Sequence, residues 1–209
     1  ALFRHEKTFY NKSGLFIRVK ASGPDLAKKV AAADAYKVNY VGMDFSIDGF
    51  AVEADGGDFV GAVKAVRGAT KRPLILIAKD AALLDSALGL LAGESALIYA
   101  AEAPDDEPLA DLAKKHKAAL VVKADSLDAL ADLTQKIQAK GVEDMVLDPA
   151  AATLSASLTR STQLRKLALK NVRSLGYPII AFPCDAKDEG VAAAQAIAKY
   201  AGFVVLSEF

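Results

Sequence analysis

Cysteine and histidine are scarce in this sequence, which has one cysteine and two histidines in 209 residues. A single cysteine cannot close an intramolecular disulfide, ligate a four-cysteine iron-sulfur cluster or build a cysteine-rich zinc site. Two histidines leave few ligands for any other site that binds a soft metal. We therefore expect no metal bound by this segment alone, and a reducing compartment.

Net charge and long apolar runs are also lacking. The 26 basic and 26 acidic residues cancel, which removes the broad positive field that nucleic acid or an anionic membrane attracts. The first residues are charged where a signal peptide needs an apolar stretch, and no run of about 18 apolar residues is long enough for a membrane span. The sequence predicts a cytoplasmic protein with neither nucleic acid nor membrane as a partner.

What is present is a regular alternation of short apolar runs and alanine-rich amphipathic stretches, which is typical of alternating strands and helices. We predict seven helices between eight strands at residues 15–19, 41–45, 74–78, 97–100, 120–123, 145–148, 179–182 and 203–206. The runs are apolar on both faces and no two-residue hairpin signal separates them, so the strands are expected to be parallel.

Eight parallel strands form either an open doubly wound sheet or a closed (β/α)8 TIM barrel. The even spacing and the lack of a Gly-x-Gly-x-x-Gly fingerprint after the first strand favour the barrel. Residues 1–14 are expected to be a lead-in segment, and residues 15–209 a barrel domain that ends at its eighth strand. The sequence has no initiating Met and ends directly after that apolar run, so we expect a segment of a longer protein without the eighth helix.

In a barrel of this kind the active site lies at the carboxyl ends of the strands. Polar residues predicted at this rim are Asp44, Lys79, Asp80, Glu102, Lys123, Asp148, Cys184, Asp185 and Glu208. Such residues also begin loops and cap helices. We therefore assign no catalytic residue and keep six candidate rim residues, namely Asp44, Lys79, Glu102, Lys123, Asp148 and Cys184.

Three of these candidates have a specific chemical possibility beside a structural one. Asp148 precedes a proline, so its carboxylate sits on a stiff turn and also suits a loop anchor. Lys123 could form an imine if burial lowered its pKa, or it could simply extend to the solvent at the rim. Cys184 is a nucleophile only if the fold supplies a base; otherwise it is a small, partly buried thiol.

Charge is unevenly distributed along the chain. Residues 80–113 contain eight acidic and no basic residues, whereas residues 149–184 contain five basic and no acidic ones. A charged helix face is commonly just solvated, and the alternative is docking of protein partners.

Several motifs together resemble a known barrel family. They are Arg4-His5-Glu6-Lys7-Thr8-Phe9-Tyr10-Asn11, Tyr40-Val41-Gly42-Met43-Asp44, Met145-Val146-Leu147-Asp148-Pro149, Leu164-Arg165-Lys166-Leu167-Ala168-Leu169-Lys170, Leu175-Gly176-Tyr177-Pro178-Ile179-Ile180-Ala181 and Lys199-Tyr200-Ala201-Gly202-Phe203-Val204-Val205-Leu206. The chain resembles the central barrel of the large (gamma) subunit of the corrinoid iron-sulfur protein in the acetyl-CoA decarbonylase/synthase (CO dehydrogenase/acetyl-CoA synthase) system.

This resemblance implies a methyl carrier of one-carbon metabolism in the acetyl-CoA pathway of carbon fixation. The parent protein would take a methyl group from methyltetrahydrofolate or methyltetrahydropterin and deliver it to acetyl-CoA synthase. A corrinoid (cobamide) and a [4Fe-4S] cluster are implied for the parent, in domains other than this barrel. A small-subunit TIM barrel is implied as the partner in a heterodimer, with a methyltransferase and acetyl-CoA synthase as transient partners. We expect no turnover by this segment alone.

The competing hypothesis is a free-standing TIM-barrel enzyme with its site at the strand ends. It would be either an aldolase-like lyase that uses Lys123 or a pterin-binding methyltransferase that uses Asp44 and Asp148.

Overall fold

A computed structural model describes residues 11–207 of the chain. Eight of its ten strands close into a parallel barrel, in which each strand pairs with the next along the chain and the last pairs with the first. The barrel strands are β1 (Gly14–Lys20), β4 (Gly49–Glu53), β5 (Leu74–Ile77), β6 (Leu97–Ala101), β7 (Ala119–Lys123), β8 (Met145–Asp148), β9 (Ile179–Ala181) and β10 (Ala201–Leu206). This confirms the (β/α)8 fold class.

Seven α-helices in the described residues surround the barrel. They are α1 (Leu26–Ala35), α2 (Phe59–Ala69), α3 (Ala81–Leu90), α4 (Asp106–His116), α5 (Leu127–Ala139), α6 (Leu154–Leu169) and α7 (Glu189–Ala198), with short 3-10 turns at Arg173–Leu175 and Pro183–Asp185. Side chains at the starts of several helices accept hydrogen bonds from backbone N–H groups that have no partner inside the helix. Asp80 does so for α3 and Asp188 for α7.

The prediction of a barrel strand at residues 41–45 was wrong. This region forms an antiparallel hairpin of β2 (Val38–Tyr40) and β3 (Met43–Phe45), joined by a two-residue turn in which Val41 and Gly42 both have positive φ. The second barrel strand is β4, which sequence analysis missed. Exposed apolar side chains alternate through the hairpin and gave the run its strand-like pattern, whereas β4 begins with glycine and ends with glutamate and so has a weaker signal.

The fully buried layer of the barrel interior contains one side chain from each strand. These are Phe16, Ala51, Ile75, Leu97, Val121, Val146, Ile180 and Val205, all at most 5% exposed. A second and larger apolar cluster lies between the outer faces of the strands and the helices. Packing is close at the start of β4, because a Cβ on Gly49 would overlap the Pro73 carbonyl oxygen and the Phe16 ring.

Candidate functional site

The mouth of the barrel is built by side chains two positions beyond the apolar interior layer. Successive side chains of a strand point to opposite faces, so residues i and i+2 face the same side. The step from Val121 leads to Lys123 and the step from Val146 leads to Asp148. The same step places Arg18, Glu53, Ile77, Tyr99 and Phe182 at this end of five of the other six strands. Five of these seven side chains are polar and two, Ile77 and Phe182, are apolar, so a largely polar layer closes the apolar interior at this end.

Asp148 is the most deeply buried ionisable group of the mouth, with 8% of its surface exposed. Its Oδ2 accepts a hydrogen bond of 2.7 Å from the Tyr99 hydroxyl, and its Oδ1 accepts one of 2.8 Å from the Ala150 backbone N–H. Burial raises the pKa of Asp148 above its usual value, and these two hydrogen bonds offset part of that rise. The carboxyl is thus anchored in the turn before α6 while it faces the barrel mouth.

Lys123 lies on the strand next to Asp148 and pairs with Glu102, with 2.9 Å between Nζ and Oε1. Its ammonium also lies 5.7 Å from the centre of the Tyr99 ring. Burial alone would lower the pKa of Lys123, but the ion pair with Glu102 raises it above its usual value overall. An imine-forming lysine needs a neutral amine, so this environment works against that chemistry.

Arg18 and Asp185 form the opposite side of the mouth. The guanidinium lies 2.8 Å from Asp185 and 3.8 Å from Glu53. Cys184 is adjacent and partly buried. Burial raises the pKa of its thiol to about 12, although the nearby Arg18 acts in the other direction. A thiol with this pKa is almost entirely protonated at neutral pH and is a poor nucleophile.

Two of the six candidate rim residues do not join this cluster. Asp44 is not at the barrel rim, because residues 41–45 form the hairpin, and its side chain accepts a hydrogen bond of 2.7 Å from Asn39. Lys79 follows β5 but is exposed, and it directly precedes Asp80, the cap of α3. Glu208 lies outside the described residues. The structure therefore brings together Glu102, Lys123, Asp148 and Cys184 and leaves the other two candidates apart.

Sequence analysis missed four members of the mouth: Arg18, Glu53, Tyr99 and Phe182. Three of them lie inside or at the end of strands and were not considered as rim groups, and Phe182 was treated only as part of an apolar run. These four residues each lie two positions after an interior residue of their strand. Applying that i to i+2 step to every strand would have found them, provided that β4 had been recognised.

A cavity of about 410 Å³ opens at this mouth and extends along the turn after β8. Tyr99, Lys123, Asp148 and Phe182 contribute to its wall. Arg160 of α6 stabilises the turn after β8 by donating hydrogen bonds to the carbonyl oxygens of Pro149 and Ala150. The volume lies within the range of pockets that hold small molecules.

The acidic segment 80–113 is largely neutralised by contacts with other helices and strands. Five of its eight carboxylates pair with cations: Asp85 with Lys115, Glu94 with Arg67, Glu102 with Lys123, Asp106 with Lys136 and Glu107 with Lys140. The charge that looked isolated along the sequence is therefore balanced in space, which weakens the case for docking through this sector.

Comparison with known proteins identifies the family. A model of the CO dehydrogenase/acetyl-CoA synthase delta subunit matches residues 1–209. The chain belongs to this family. It is 38% identical to the corrinoid/iron-sulfur protein large subunit of Moorella thermoacetica over 98% of its length. It is 34% identical to the acetyl-CoA decarbonylase/synthase complex subunit gamma of Archaeoglobus fulgidus over 87% of its length.

These relatives confirm the resemblance to the large (gamma) subunit, although the family model has the name of the delta subunit. The chain spans 48% of the Moorella thermoacetica protein and 41% of the Archaeoglobus fulgidus protein. The chain therefore spans less than half of the length of each of these two relatives.

Solved structures with the same fold include dihydropteroate synthases. The chain superposes on the enzymes from Thermus thermophilus and Yersinia pestis with a TM-score of 0.66 in each case. The alignments cover 98% and 94% of this chain and 92% and 86% of those chains. Sequence identities of 18% and 12% limit the inference to the shared barrel fold.

The names of the relatives raise the question of a corrinoid and an iron-sulfur cluster. A [4Fe-4S] cluster takes four cysteine thiolates, whereas this sequence contains only one cysteine. Within residues 11–207, no group of three or more His, Cys, Asp or Glu side chains could hold a metal ion. His116 ends α4, at the end of the barrel opposite the mouth, with its Nε2 2.6 Å from Asp85. The described residues therefore do not fit a [4Fe-4S] cluster.

No helix in the described range 11–207 combines the length and apolar character needed to cross a bilayer.

Proposed function

We propose that this chain is the barrel domain of a corrinoid iron-sulfur methyl carrier in the acetyl-CoA synthase system. The observation that carries the proposal is the 38% identity to the Moorella thermoacetica large subunit over 98% of the chain. The whole carrier would take a methyl group from methyltetrahydrofolate or methyltetrahydropterin and deliver it to acetyl-CoA synthase, in the cytoplasm. A corrinoid would hold the methyl group, and a [4Fe-4S] cluster would serve the same carrier outside this barrel.

Within that carrier the barrel acts as a scaffold. The charge pairing at the mouth supports this role, because Lys123 is bound to Glu102 and Arg18 is bound to Asp185. A catalytic lysine or thiol needs a lowered pKa, whereas the pKa values of Lys123 and Cys184 are both raised. These groups hold the barrel end together, and the chemistry occurs at the cofactor carried elsewhere.

The partner in this proposal is a small-subunit barrel, and the methyltransferase and acetyl-CoA synthase bind transiently. The name "large subunit" of the Moorella thermoacetica relative supports a small-subunit partner. The hairpin supports a contact surface of some kind, since Tyr40, Val41 and Met43 are 57% to 79% exposed, and clustered exposed apolar side chains commonly mark protein interfaces.

Coexpression tests the assembly directly. The chain is produced with the small subunit of the same organism, and the complex is measured by size-exclusion chromatography with light scattering. We expect one copy of each subunit. A chain that elutes as a monomer or a homodimer beside a folded small subunit would contradict the heterodimer.

Isolation through a tag on this chain from its native cells tests the carrier role. We expect cobalt by metal analysis, and labelled methyl groups retained after incubation with labelled methyltetrahydrofolate or methyltetrahydropterin and the methyltransferase. A purified assembly that contains no cobalt would contradict the role.

A further inference from the structure

The cavity at the barrel mouth is lined by more acidic than basic groups. The charged side chains that line it are three carboxylates, Asp125, Asp148 and Asp185, and one ammonium, Lys123. The cation is already bound, since Lys123 lies 2.9 Å from Glu102. The nearby Arg18 is also bound, 2.8 Å from Asp185. Asp185 is likewise neutralised by Arg18, which leaves Asp125 and Asp148 as the lining carboxylates outside these ion pairs. An anionic guest would face their negative charge, so the cavity favours a positively charged guest.

Asp148 offers a specific anchor for such a guest. Each of its two oxygens accepts one hydrogen bond, from Tyr99 and from Ala150. A carboxylate oxygen has two lone pairs, so one acceptor position remains on each oxygen. Two adjacent acceptor positions match a pair of parallel N–H donors, as in the bidentate contacts of guanidinium with carboxylate. Both donors of Asp148 are neutral, so a cation would be the first charge in direct contact with this buried carboxylate.

The shape and chemistry of the walls narrow the class of cation. Tyr99 and Phe182 line the cavity with their ring centres 4.7 Å apart, and aromatic rings attract organic cations. The two adjacent acceptor positions of Asp148 add a preference for a planar cation with two parallel N–H groups. A metal ion fits less well, because no group of three or more His, Cys, Asp or Glu side chains is arranged to hold one within the described residues.

We propose that the barrel mouth binds a small planar organic cation of the amidinium or guanidinium class, with two N–H groups donated to the Asp148 carboxylate. This site is separate from the methyl-carrier proposal, because it concerns a small molecule at the mouth of the barrel and not the assembly with other subunits.

Three matched probes test the proposal on the unmodified chain. Benzamidinium is planar and cationic, benzamide has a similar shape without charge, and benzoate has the opposite charge. Binding is followed by isothermal titration and by chemical-shift changes of backbone amides at about pH 8. A high pH is chosen because burial raises the pKa of Asp148 and only the ionised carboxylate pairs with a cation. We expect benzamidinium to bind with shifts clustered around Tyr99, Lys123 and Asp148, and benzamide and benzoate to bind at least about tenfold more weakly.

Two variants locate the site. Asp148→Asn removes the charge with little change in shape, and we expect it to weaken benzamidinium at least about tenfold. Asp44→Asn removes a carboxylate on the distant hairpin and should leave binding unchanged. The proposal is overturned if the unmodified chain does not bind benzamidinium, if benzoate binds as tightly, or if the two variants weaken binding equally. The probe comparison needs no variant, so it decides the matter even if Asp148→Asn fails to fold.

Discussion

The substitution Asp148→Asn should change how the stability of the barrel depends on pH. Asp148 is 8% exposed, and burial raises its pKa above the usual carboxyl value. In the unfolded chain the same carboxyl titrates near the ordinary value, about 3.9. Between the two pKa values, the unfolded state has lost the proton while the native state still holds it. Raising the pH through this window therefore favours unfolding.

The slope of the free energy of unfolding against pH is limited by the one proton that Asp148 binds. The free energy of unfolding should fall by at most about 1.4 kcal/mol per pH unit inside the window because of this residue, and its contribution becomes constant above the native pKa. Asparagine does not titrate, so the variant lacks this component. Its amide can still accept from the Ala150 N–H with its oxygen and donate to the Tyr99 hydroxyl oxygen, so the local geometry can persist.

The measurement is denaturant unfolding of the original chain and of Asp148→Asn at a series of pH values from about 4 to 8. We expect the stability of the variant relative to the original chain to rise with pH and then level off, and the levelling point marks the native pKa of Asp148. A difference that is independent of pH would refute the reasoning. If the stability of the variant relative to the original chain fell with rising pH, the pKa shift would have the opposite sign, and the fold would stabilise the Asp148 carboxylate in its charged form. Asp44→Asn serves as the control with a similar charge change on the exposed hairpin.

Three further predictions concern packing and reactivity. Gly49→Ala should destabilise the barrel by about 1 to 3 kcal/mol, because the added methyl group has no room. Gly89→Ala in α3, where nothing lies within 4 Å of the added methyl group, should stabilise it by about 0.5 to 1 kcal/mol. Denaturant unfolding compares the two variants, and equal effects would contradict the packing argument. Borohydride trapping with a small aldehyde should modify exposed Lys79 but not Lys123, as checked by peptide mass spectrometry; preferential labelling of Lys123 would revive the lyase hypothesis. The thiol of Cys184 has a pKa of about 12 in the folded protein. At pH 8, iodoacetamide should therefore alkylate Cys184 about a thousandfold more slowly in the folded protein than in the denatured protein. Similar rates in the two states would contradict the raised pKa.

Seven of the eight barrel strands could be predicted because each is a nearly continuous apolar run. A strand that is covered by helices outside and by packed side chains inside must be apolar on both faces. Val121 and Val146 face the interior while Leu120 and Leu147 face the helices. Both demands are visible in the sequence without any knowledge of pairing.

The strand β4 and the hairpin could not be separated by the same signal. Residues 49–53 include Gly49 and Glu53, which weaken the pattern. The hairpin residues 38–45 are more apolar but exposed. Burial depends on what packs against a segment, and local hydrophobicity does not report it.

The mouth shows where sequence reasoning ends. The positions of Lys123 and Asp148 at strand ends were predicted, since a strand end follows from the local pattern. The contacts of Asp148 with Tyr99, 49 residues apart in the chain, and of Arg18 with Asp185 were not. They require closure of the barrel, which brings distant strands together.

The amino-acid sequence by itself determined the alternation of strands and helices, the parallel barrel and the family, because periodicity and motifs are local properties. Only the tertiary structure decided which charges neutralise one another and which carboxyl is buried, because burial and Coulomb energy depend on distances between residues remote in the chain. That is why Asp44 and Asp148, both candidates at the outset, ended at opposite extremes, one on an exposed hairpin and the other buried at the barrel mouth.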